Sequence, residues 1–344
     1  LFALAERGDP RLEVASTFLT IPDLLHYWLT GARACEFTNA TTTQLLNARA
    51  RSWDEELMAH IGVRPEIFPD LAEPGTSIGS HDGVSVTLPA SHDTGSAVVG
   101  VPVTTAEESI AFLSSGTWSL VGTEVPEPIL TPEALAAGVT NEGGAGGGYR
   151  LLKNVMGLWV LQQCRETWAK EGNDMTYAEL ARAAASEPVL RSVVPVNDAT
   201  LLAPGDHPAA IRRLCEARGE PVPETVGQVV RCVIDSLALA YREVIGLVAR
   251  LTGRSFEVIH VVGGGAANDA LNQATADATG LPVLAGPTEA TLLGNAITQL
   301  VSLGVVGSLA EGRARVAHSH PPRRFEPSGS ASWTRASERL GVDA

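Results

Sequence analysis

Three consecutive glycines between an apolar strand and a helix constrain the fold of this chain more than any other feature. The apolar run Phe256–Val262 predicts a buried strand, Gly263-Gly264-Gly265 follows directly, and a helix is predicted to end at Thr279. A short strand at 282–284 and a helix over 289–303 continue the alternation. Strands that alternate with helices are typical of an α/β fold.

The glycines themselves indicate either a ligand site or a tight turn. Without a Cβ, a glycine corner lets a planar base or a phosphate approach the backbone. A dinucleotide site of the Rossmann type is disfavoured, because its G-x-G-x-x-G pattern needs a glycine where Asn268 stands. A plain strand-to-helix turn remains open on the glycines alone.

The charge balance of the chain argues against nucleic acid as a partner. The 344 residues, enough for two domains, carry 25 Lys and Arg against 39 Asp and Glu, a net charge of −14. Binding to a nucleic-acid backbone needs a basic surface, whereas backbone N–H groups and Mg²⁺ can hold a nucleotide without one.

Other broad classes are also disfavoured by composition. No apolar run approaches the roughly 20 residues that cross a bilayer, so no membrane is expected as a partner. The four cysteines form no CxxC pair. They indicate reduced thiols in a cytoplasmic protein rather than a zinc site or a disulfide framework.

A second strand-to-helix corner carries a carboxylate. The alternating residues Val84, Val86 and Leu88 predict a strand, and a helix of small residues is predicted to follow Asp93. A carboxylate at this corner can take a proton from a bound hydroxyl. A helix cap is the simpler alternative. A hydrolase triad with His92 is disfavoured, because no serine stands in a G-x-S-x-G context.

A third segment combines hydroxyl groups with a hairpin. Ser115-Gly116-Thr117 joins two predicted strands, 110–114 and 118–122. Hydroxyl and N–H groups at such a turn can bind phosphate oxygens. A turn that satisfies its own backbone is the alternative, and Trp118 is expected in the core.

A predicted helix over 153–170 brings two amides to one side. Asn154 and Gln162 would lie about 12 Å apart along its axis, at a rise of about 1.5 Å per residue. That distance could span a ligand of similar length, although two exposed polar residues are the commoner case. Residues 64–82 and 126–148 are predicted as loops, and the end of the chain from about residue 312 as a peripheral, solvated segment.

Four segments, taken in order, resemble the FGGY carbohydrate kinases. The resemblance covers residues from about 15 to 305 and is carried by Pro89–Val99, Leu113–Trp118, Lys153–Trp159 and Val262–Asn268. The triplet His-Asp-Thr in the first of them is typical of kinases that act on deoxy-sugar ketoses. Three further segments, 38–45, 140–144 and 285–290, are similar to the rhamnulokinase branch of the family.

The resemblance implies an α/β fold of the actin-like (ribonuclease-H-like) type with two domains and a cleft between them. Residues 1–104 would be the later part of an incomplete first domain, 105–325 the second domain, and 326–344 a tail. ATP and a sugar are expected in the cleft.

The resemblance also implies a reaction and its residues. The reaction is phosphoryl transfer from ATP, with Mg²⁺, to the 1-hydroxyl of L-rhamnulose, and Asp93 is the expected general base. The expected sugar contacts are His92, Asp93, Thr94 and Asn154. The expected ATP contacts are Thr117, Gln162, Gly263, Gly264, Gly265 and Asn268. No metal ligand is assigned.

Two features of the sequence limit this expectation. These kinases open with a phosphate loop of the type D-x-G-x-x-S, and none is found here, so the chain is expected to begin partway through its gene product and to be nearly inactive alone. Ala267 stands where related kinases often carry Gln. Another FGGY ketose kinase, such as one for L-fuculose, and a non-catalytic actin-like ATP-binding module remain as alternatives. The oligomeric state is not predicted.

Overall fold

A computed structural model describes residues 1–104, 109–329 and 331–341. Its helices are α1 (Phe2–Glu6), α2 (Pro10–Val14), α3 (Ile21–Thr30), α4 (Phe37–Ala40), α5 (Glu55–His60), α6 (Asp93–Val99), α7 (Pro132–Ala137), α8 (Trp159–Lys170), α9 (Tyr177–Ala185), α10 (His207–Arg218), α11 (Val226–Thr252), α12 (Asp269–Thr279), α13 (Ala290–Ser302), α14 (Leu309–Ser319) and α15 (Ala331–Leu340). Single 3₁₀ turns lie at Thr41–Thr43, Pro65–Ile67, Ala199–Leu201 and Gly264–Ala267.

The strands form one large sheet and three two-stranded ribbons. The strands are β1 (Cys35–Glu36), β2 (Leu46–Asn47), β3 (Ser52–Trp53), β4 (Leu71–Ala72), β5 (Ser77–His81), β6 (Val84–Thr87), β7 (Ile110–Ser115), β8 (Ser119–Val125), β9 (Thr140–Gly143), β10 (Tyr149–Val155), β11 (Val258–Val262), β12 (Val283–Ala285) and β13 (Arg323–Phe325). The large sheet has the order β13-β12-β11-β7-β8-β10-β9, and β11 runs parallel to both β7 and β12.

Both faces of the large sheet are covered, as the alternation of side chains requires. On β7, Ala111 and Leu113 point into the main core, which includes the long helix α11. Phe112 between them points to the opposite face, where it packs with Ala97 of α6 and Ala290 of α13. The sheet therefore separates α11 and α12 from α13 and from α6, which begins at Asp93.

Helices α6 and α13 approach each other so closely that their contact depends on glycine. A Cβ on Gly294 of α13 would stand 1.8 Å from the carbonyl oxygen of Ser96 in α6. A Cβ on Gly100, the residue after α6, would stand 2.2 Å from the carbonyl oxygen of Ala290. Because the atoms in the way belong to the backbone, no rotamer change relieves the clash. This contact fixes α6, and with it Asp93, against the larger sheet.

The predicted helix over 153–170 is wrong in its first turns. Residues 149–155 form strand β10, which pairs antiparallel with β8 and β9. Gly157 follows with φ +56°, and a Cβ there would lie 2.7 Å from the backbone of Trp118, so the chain turns before α8 begins. Asn154 is therefore on a strand and Gln162 on a helix, and the spacing of about 12 Å along a single axis does not apply.

Other predictions of irregular structure are corrected as well. The predicted loop 126–148 contains α7 and β9, and the predicted loop 64–82 contains β5. The end of the chain is not peripheral, because β13 is an edge strand of the large sheet and Trp333 of α15 is buried in the main core. Tertiary pairing supplies these elements, and short windows of sequence do not report it.

Three predicted elements are confirmed. The hairpin of β7 and β8, the strand that ends at Val262 and helix α6 after His92 are all present. All four cysteines are buried and free of disulfides. No helix in the described ranges is long and apolar enough to cross a membrane. The predicted domain boundary at 104/105 reaches residues 105–108, which lie outside the described residues, as do 342–344 of the predicted tail.

We expect Gly294→Ala to destabilise the protein by about 2 kcal/mol. Alanine is favoured over glycine in a helix by about 1 kcal/mol, but a Cβ 1.8 Å from a backbone oxygen costs about 3 kcal/mol or more. Urea denaturation measures the difference. Gly205→Ala is the control, because its Cβ enters open space, and we expect a change within about 0.5 kcal/mol. Equal stability of the two variants would contradict the close contact of α6 and α13.

Candidate active site

Two adjoining cavities open at the carboxyl ends of the parallel strands β7, β11 and β12, the edge at which α/β sheets usually bind ligands. The larger has a volume of about 750 Å³ and the smaller about 510 Å³. They share Gly116, Thr117 and Gly264. The larger is also lined by Thr42, His92, Asp93, Thr94, Ser114, Ser115, Trp118, Leu120, Glu142, Asn154, Gly263, Thr288, Glu289 and Thr291.

Asp93 is the first residue of α6 and presents its carboxylate to the larger cavity. The side chain is 81% exposed. Its Oδ1 accepts hydrogen bonds from the backbone N–H of Thr94 at 2.6 Å and from the Thr94 hydroxyl at 3.2 Å. Among the described residues no donor is bonded to Oδ2. One carboxylate oxygen is thus held in place while the other is free to accept a proton from a ligand.

The loop that carries His92 and Asp93 is held by a buried carboxylate from far earlier in the chain. Glu36 is fully buried, and one of its oxygens accepts from the N–H of Ser91 at 3.0 Å and from the Ser91 hydroxyl at 2.6 Å. The same oxygen accepts from the Thr38 hydroxyl at 2.6 Å, which in turn accepts from the N–H of His92 at 3.3 Å. Burial raises the pKa of Glu36, and these hydrogen bonds oppose the shift.

A second group of charged residues, Arg150 and Glu142, contacts the ring of His92. Arg150 is fully buried, donates from Nε to the carbonyl of Gly143 at 3.1 Å, and lies with Nη2 3.0 Å from Nδ1 of His92. Its Nη1 lies 3.1 Å from Oε2 of Glu142. Burial lowers the pKa of Arg150, and the charge of Glu142 opposes this. For Glu142, burial raises the pKa, but contacts with His92 and Arg150 outweigh it, and the pKa lies below its usual value.

The turn between β7 and β8 forms the wall between the two cavities. Thr117 lines both, and its hydroxyl accepts from Nε2 of Gln162 at 3.3 Å. The Thr117 carbonyl also accepts from the N–H of Trp159 at the start of α8 at 2.9 Å. The sequence placed Thr117 and Gln162 in one ligand site, and the structure brings them together.

The three glycines differ in what they allow. A Cβ on Gly263, which has φ +83°, would stand 2.8 Å from the carbonyl oxygen of Ser115, and one on Gly265 would stand 1.9 Å from the Ser115 hydroxyl. Both positions therefore let β11 and β7 pack closely. Gly264 has open space around it and lines both cavities. Gly265 was expected to contact ATP, but it lines neither cavity.

The smaller cavity is mostly apolar. Most of its lining comes from helices α8, α9 and α11 and the residue before α8, and Ala267 and Asn268 after the glycines also contribute. The lining residues from the helices and that position are Leu158, Leu161, Gln162, Tyr177, Ala178, Ala181, Val230 and Ile234. Asn268 also caps α12, since its side chain accepts from the N–H of Leu271 at 3.1 Å.

Two sequence predictions for this region are corrected and one set of residues was missed. Asn154 does line the larger cavity, but from β10, where it pairs with Leu120. Trp118 is 43% exposed and lines the cavity instead of the core, because a turn residue faces outward from the hairpin. The sequence analysis missed Glu142 and Arg150, because nothing in the residues around them, apart from the similarity of segment 140–144, indicated a site. Both act through contacts with His92, which lies about 50 positions earlier.

The described residues contain no group of three His, Cys, Asp or Glu side chains that could hold a metal ion. Mg²⁺ keeps several waters and is bound by one or two carboxylates together with phosphate oxygens. Asp93 and Glu289 line the larger cavity as candidate carboxylates. The donor set fits a metal ion that enters with a nucleotide and not a metal centre built from the protein alone.

Two family models match this chain. The N-terminal domain of the FGGY family of carbohydrate kinases matches residues 4–111, and the C-terminal domain of the same family matches residues 111–303. Asp93 therefore lies in the first matched domain, whereas Thr117 and the glycines lie in the second. The larger cavity is lined by residues of both matched segments, whereas the smaller cavity is lined by residues of the second alone.

The chain is similar over nearly its whole length to proteins named rhamnulokinase. It is 43% identical over 339 residues to the one from Pectobacterium carotovorum, and the alignment covers 97% of this chain and 67% of that protein. It is 41% identical over 346 residues to the one from Bacteroides thetaiotaomicron, which covers 98% of this chain and 70% of that protein.

Solved structures share the fold at low identity. A ligand-bound xylulose kinase from Lactobacillus acidophilus has a TM-score of 0.75 at 17% identity, with 98% of this chain and 69% of that chain covered. A Plasmodium falciparum glycerol kinase with ADP has a TM-score of 0.74 at 16% identity, with 100% and 71% covered. The predicted actin-like fold is confirmed. The chain belongs to the FGGY family of carbohydrate kinases.

Proposed function

We propose that this chain is the greater part of an ATP-dependent kinase that phosphorylates the 1-hydroxyl of L-rhamnulose. The observation that carries the proposal is the arrangement of the cavities: the free carboxylate oxygen of Asp93 and the shared wall at Gly264 and Thr117 face one polar space. Identity of 41–43% to named rhamnulokinases supports the choice of sugar.

In this mechanism Asp93 is the general base. Its Oδ2 accepts the proton of the 1-hydroxyl as that oxygen attacks the γ-phosphorus of ATP, and the bond to the β,γ-bridging oxygen breaks. Thr94 holds Oδ1 by two hydrogen bonds, so the base keeps its orientation. His92 and Asn154 line the same cavity and bind other sugar oxygens. The base contributes roughly 10²–10⁴-fold, and positioning supplies most of the remainder.

The nucleotide occupies the smaller cavity. Its adenine lies against the apolar lining from α8, α9 and α11, and its phosphates pass over Gly264 and Thr117 into the larger cavity. Gln162 and Asn268 supply polar contacts at the entrance. Mg²⁺, bound with the phosphates, supplies charge neutralisation for phosphoryl transfer.

A kinase for another deoxy-ketose, such as L-fuculose, is the second candidate. The polar lining of the larger cavity, with Glu142 beside His92, fits several hydroxylated sugars. A panel of ketoses with ATP consumption as the readout decides between them. We expect the highest kcat/KM for L-rhamnulose. A non-catalytic ATP-binding module would show ATP binding without consumption for any sugar, even in a longer form of the protein that carries a first phosphate loop.

The 344-residue chain by itself is expected to show little or no phosphoryl transfer. The reaction requires the γ-phosphate to be fixed in line with the hydroxyl from both sides, and the sequence contains no D-x-G-x-x-S loop. The test is an assay of the purified chain with ATP, Mg²⁺ and L-rhamnulose. Turnover within the usual kinase range of roughly 1–100 s⁻¹ would show that the loop is dispensable.

Asp93→Asn is expected to lower kcat by roughly 10²–10⁴-fold with little change in ATP affinity, because an amide cannot accept the proton. The measurement uses a longer, active form of the protein that includes a first phosphate loop. Asp206→Asn is the matched control: Asp206 also stands at a helix N-terminus, where asparagine caps equally well, and kcat should not change. A kcat near that of the unmodified protein would exclude Asp93 as the base.

Gly264→Val is expected to weaken ATP binding at least about tenfold, the effect of a steric cost above about 1.4 kcal/mol. A Cβ at this position meets no protein atom within 4 Å, so the side chain extends from the cavity wall into the space proposed for the ligand. Isothermal titration of the 344-residue chain with ATP gives the Kd. Gly205→Val, in equally open space, should bind ATP like the unmodified chain. Unchanged affinity in Gly264→Val would make the glycines a structural turn alone.

A further inference from the structure

The nitrogen Nδ1 of His92 has two charged neighbours that make opposite demands on it. Nη2 of Arg150 lies 3.0 Å away, and Oε2 of Glu142 lies 3.3 Å away. A guanidinium carries only donors, whereas a carboxylate carries only acceptors. Nδ1 can accept from Arg150 without a proton or donate to Glu142 with one, but it cannot do both.

The geometry favours acceptance from Arg150. That contact is the shorter of the two and satisfies the alignment of a hydrogen bond, and a proton on Nδ1 would face the N–H of a cation. The contact of Nδ1 with Oε2 of Glu142 lacks that alignment: Oε2 has no hydrogen-bond partner among the described residues, although the charge of Nη1 of Arg150 lies 3.1 Å away. A neutral imidazole that accepts at Nδ1 must carry its proton on Nε2.

The Nε2 atom lies on the cavity side of the ring. It is 3.7 Å from Oδ1 of Asp93, beyond hydrogen-bond distance, and the side chain lines the larger cavity. A donor at Nε2 therefore stands beside an acceptor at Asp93. Such a site can bind a ligand in which a hydroxyl, which donates to Asp93, stands next to an oxygen that only accepts, which receives the hydrogen bond from His92.

We propose that Arg150 is a positioning residue that fixes His92 in the Nε2–H tautomer, so that His92 donates a hydrogen bond to an acceptor oxygen bonded to C2 of a ketose while Asp93 accepts from its 1-hydroxyl. The assignment of the ketose rests on the proposed function, but the tautomer does not. In the open chain this oxygen is the C2 carbonyl, and in the furanose it is the ring oxygen O5; both only accept, whereas the anomeric hydroxyl at C2 of the furanose can also donate. The opposite tautomer would place a lone pair against that oxygen.

Arg150 is also an uncommon residue type for a protein core. It is fully buried, and removal of an arginine charge from water costs several kcal/mol unless partners compensate. Its partners are the Gly143 carbonyl, Glu142 and His92. Nη1 and Oε2 of Glu142 face each other without a well-aligned hydrogen bond, so that oxygen keeps a lone pair for a donor, which the test below uses.

Nitrogen-15 NMR of the histidine side chains tests the tautomer directly. The 344-residue chain is measured at about pH 8.5, above the usual histidine pKa of about 6.5, and His92→Gln assigns the His92 signal among the eight histidines. We expect an unprotonated Nδ1 and a protonated Nε2. A protonated Nδ1 in the unmodified chain would overturn the proposal whether or not the protein acts on a ketose.

Arg150→Met tests whether Arg150 is the cause. With the guanidinium gone, Oε2 of Glu142 becomes the one charged neighbour of Nδ1 named above, and we expect the proton to move to Nδ1. Retention of Nε2–H would contradict the role of Arg150. Arg231→Met is the matched control, because Arg231 forms a buried ion pair with Asp235 and neither residue lines either cavity. It should lose stability without any change in the His92 signal.

Kinetics in the longer, active form separates this positioning role from general destabilisation. In Arg150→Met we expect KM for L-rhamnulose to rise about tenfold, the scale of one hydrogen bond to a buried partner, while KM for ATP stays unchanged. An equal rise in both KM values would indicate a structural role only. If no ketose is turned over by the unmodified form, the proposed function fails and the NMR result still decides the tautomer.

Discussion

The backbone contact between α6 and α13 is the constraint on which the site depends. Gly294 lets the carbonyl of Ser96 approach to a distance that any Cβ would forbid. Through this contact the segment that carries Asp93 is set against the strands that carry Thr117 and Gly264. Asp93 and Thr117 belong to different matched domains, and the packing of α6 against α13 helps to set their relative position.

Local patterns of sequence predicted the corners of the site well. The strand before Gly263, the hairpin before Thr117 and the helix after His92 all follow from short runs of apolar residues and turn residues. These are features in which neighbouring residues decide the structure. The resemblance to a family supplied the roles that composition and spacing alone left open, and the family itself is confirmed.

The remainder of the site depends on contacts that no local window contains. Glu36 reaches Ser91 and His92 reaches Arg150, each across more than 50 residues. Asn154 was predicted to lie on a helix over 153–170, and pairing with β8 and β9 makes that segment a strand. The buried state of Arg150 is likewise set by the fold, since a lone arginine after a glycine run predicts an exposed side chain.

The exposed position of Trp118 gives the cavity an optical reporter of its own. The indole stands on the turn that separates the two cavities and is partly open to water. Tryptophan emission shifts with the polarity around the ring, so a sugar or a phosphate that displaces this water changes the fluorescence of the chain. None of the other five tryptophans lines either cavity: Trp28 is exposed and far from Trp118 along the chain, and Trp168 and Trp333 are buried in the core. Occupancy of the site is therefore readable in the unlabelled protein, at equilibrium and without turnover.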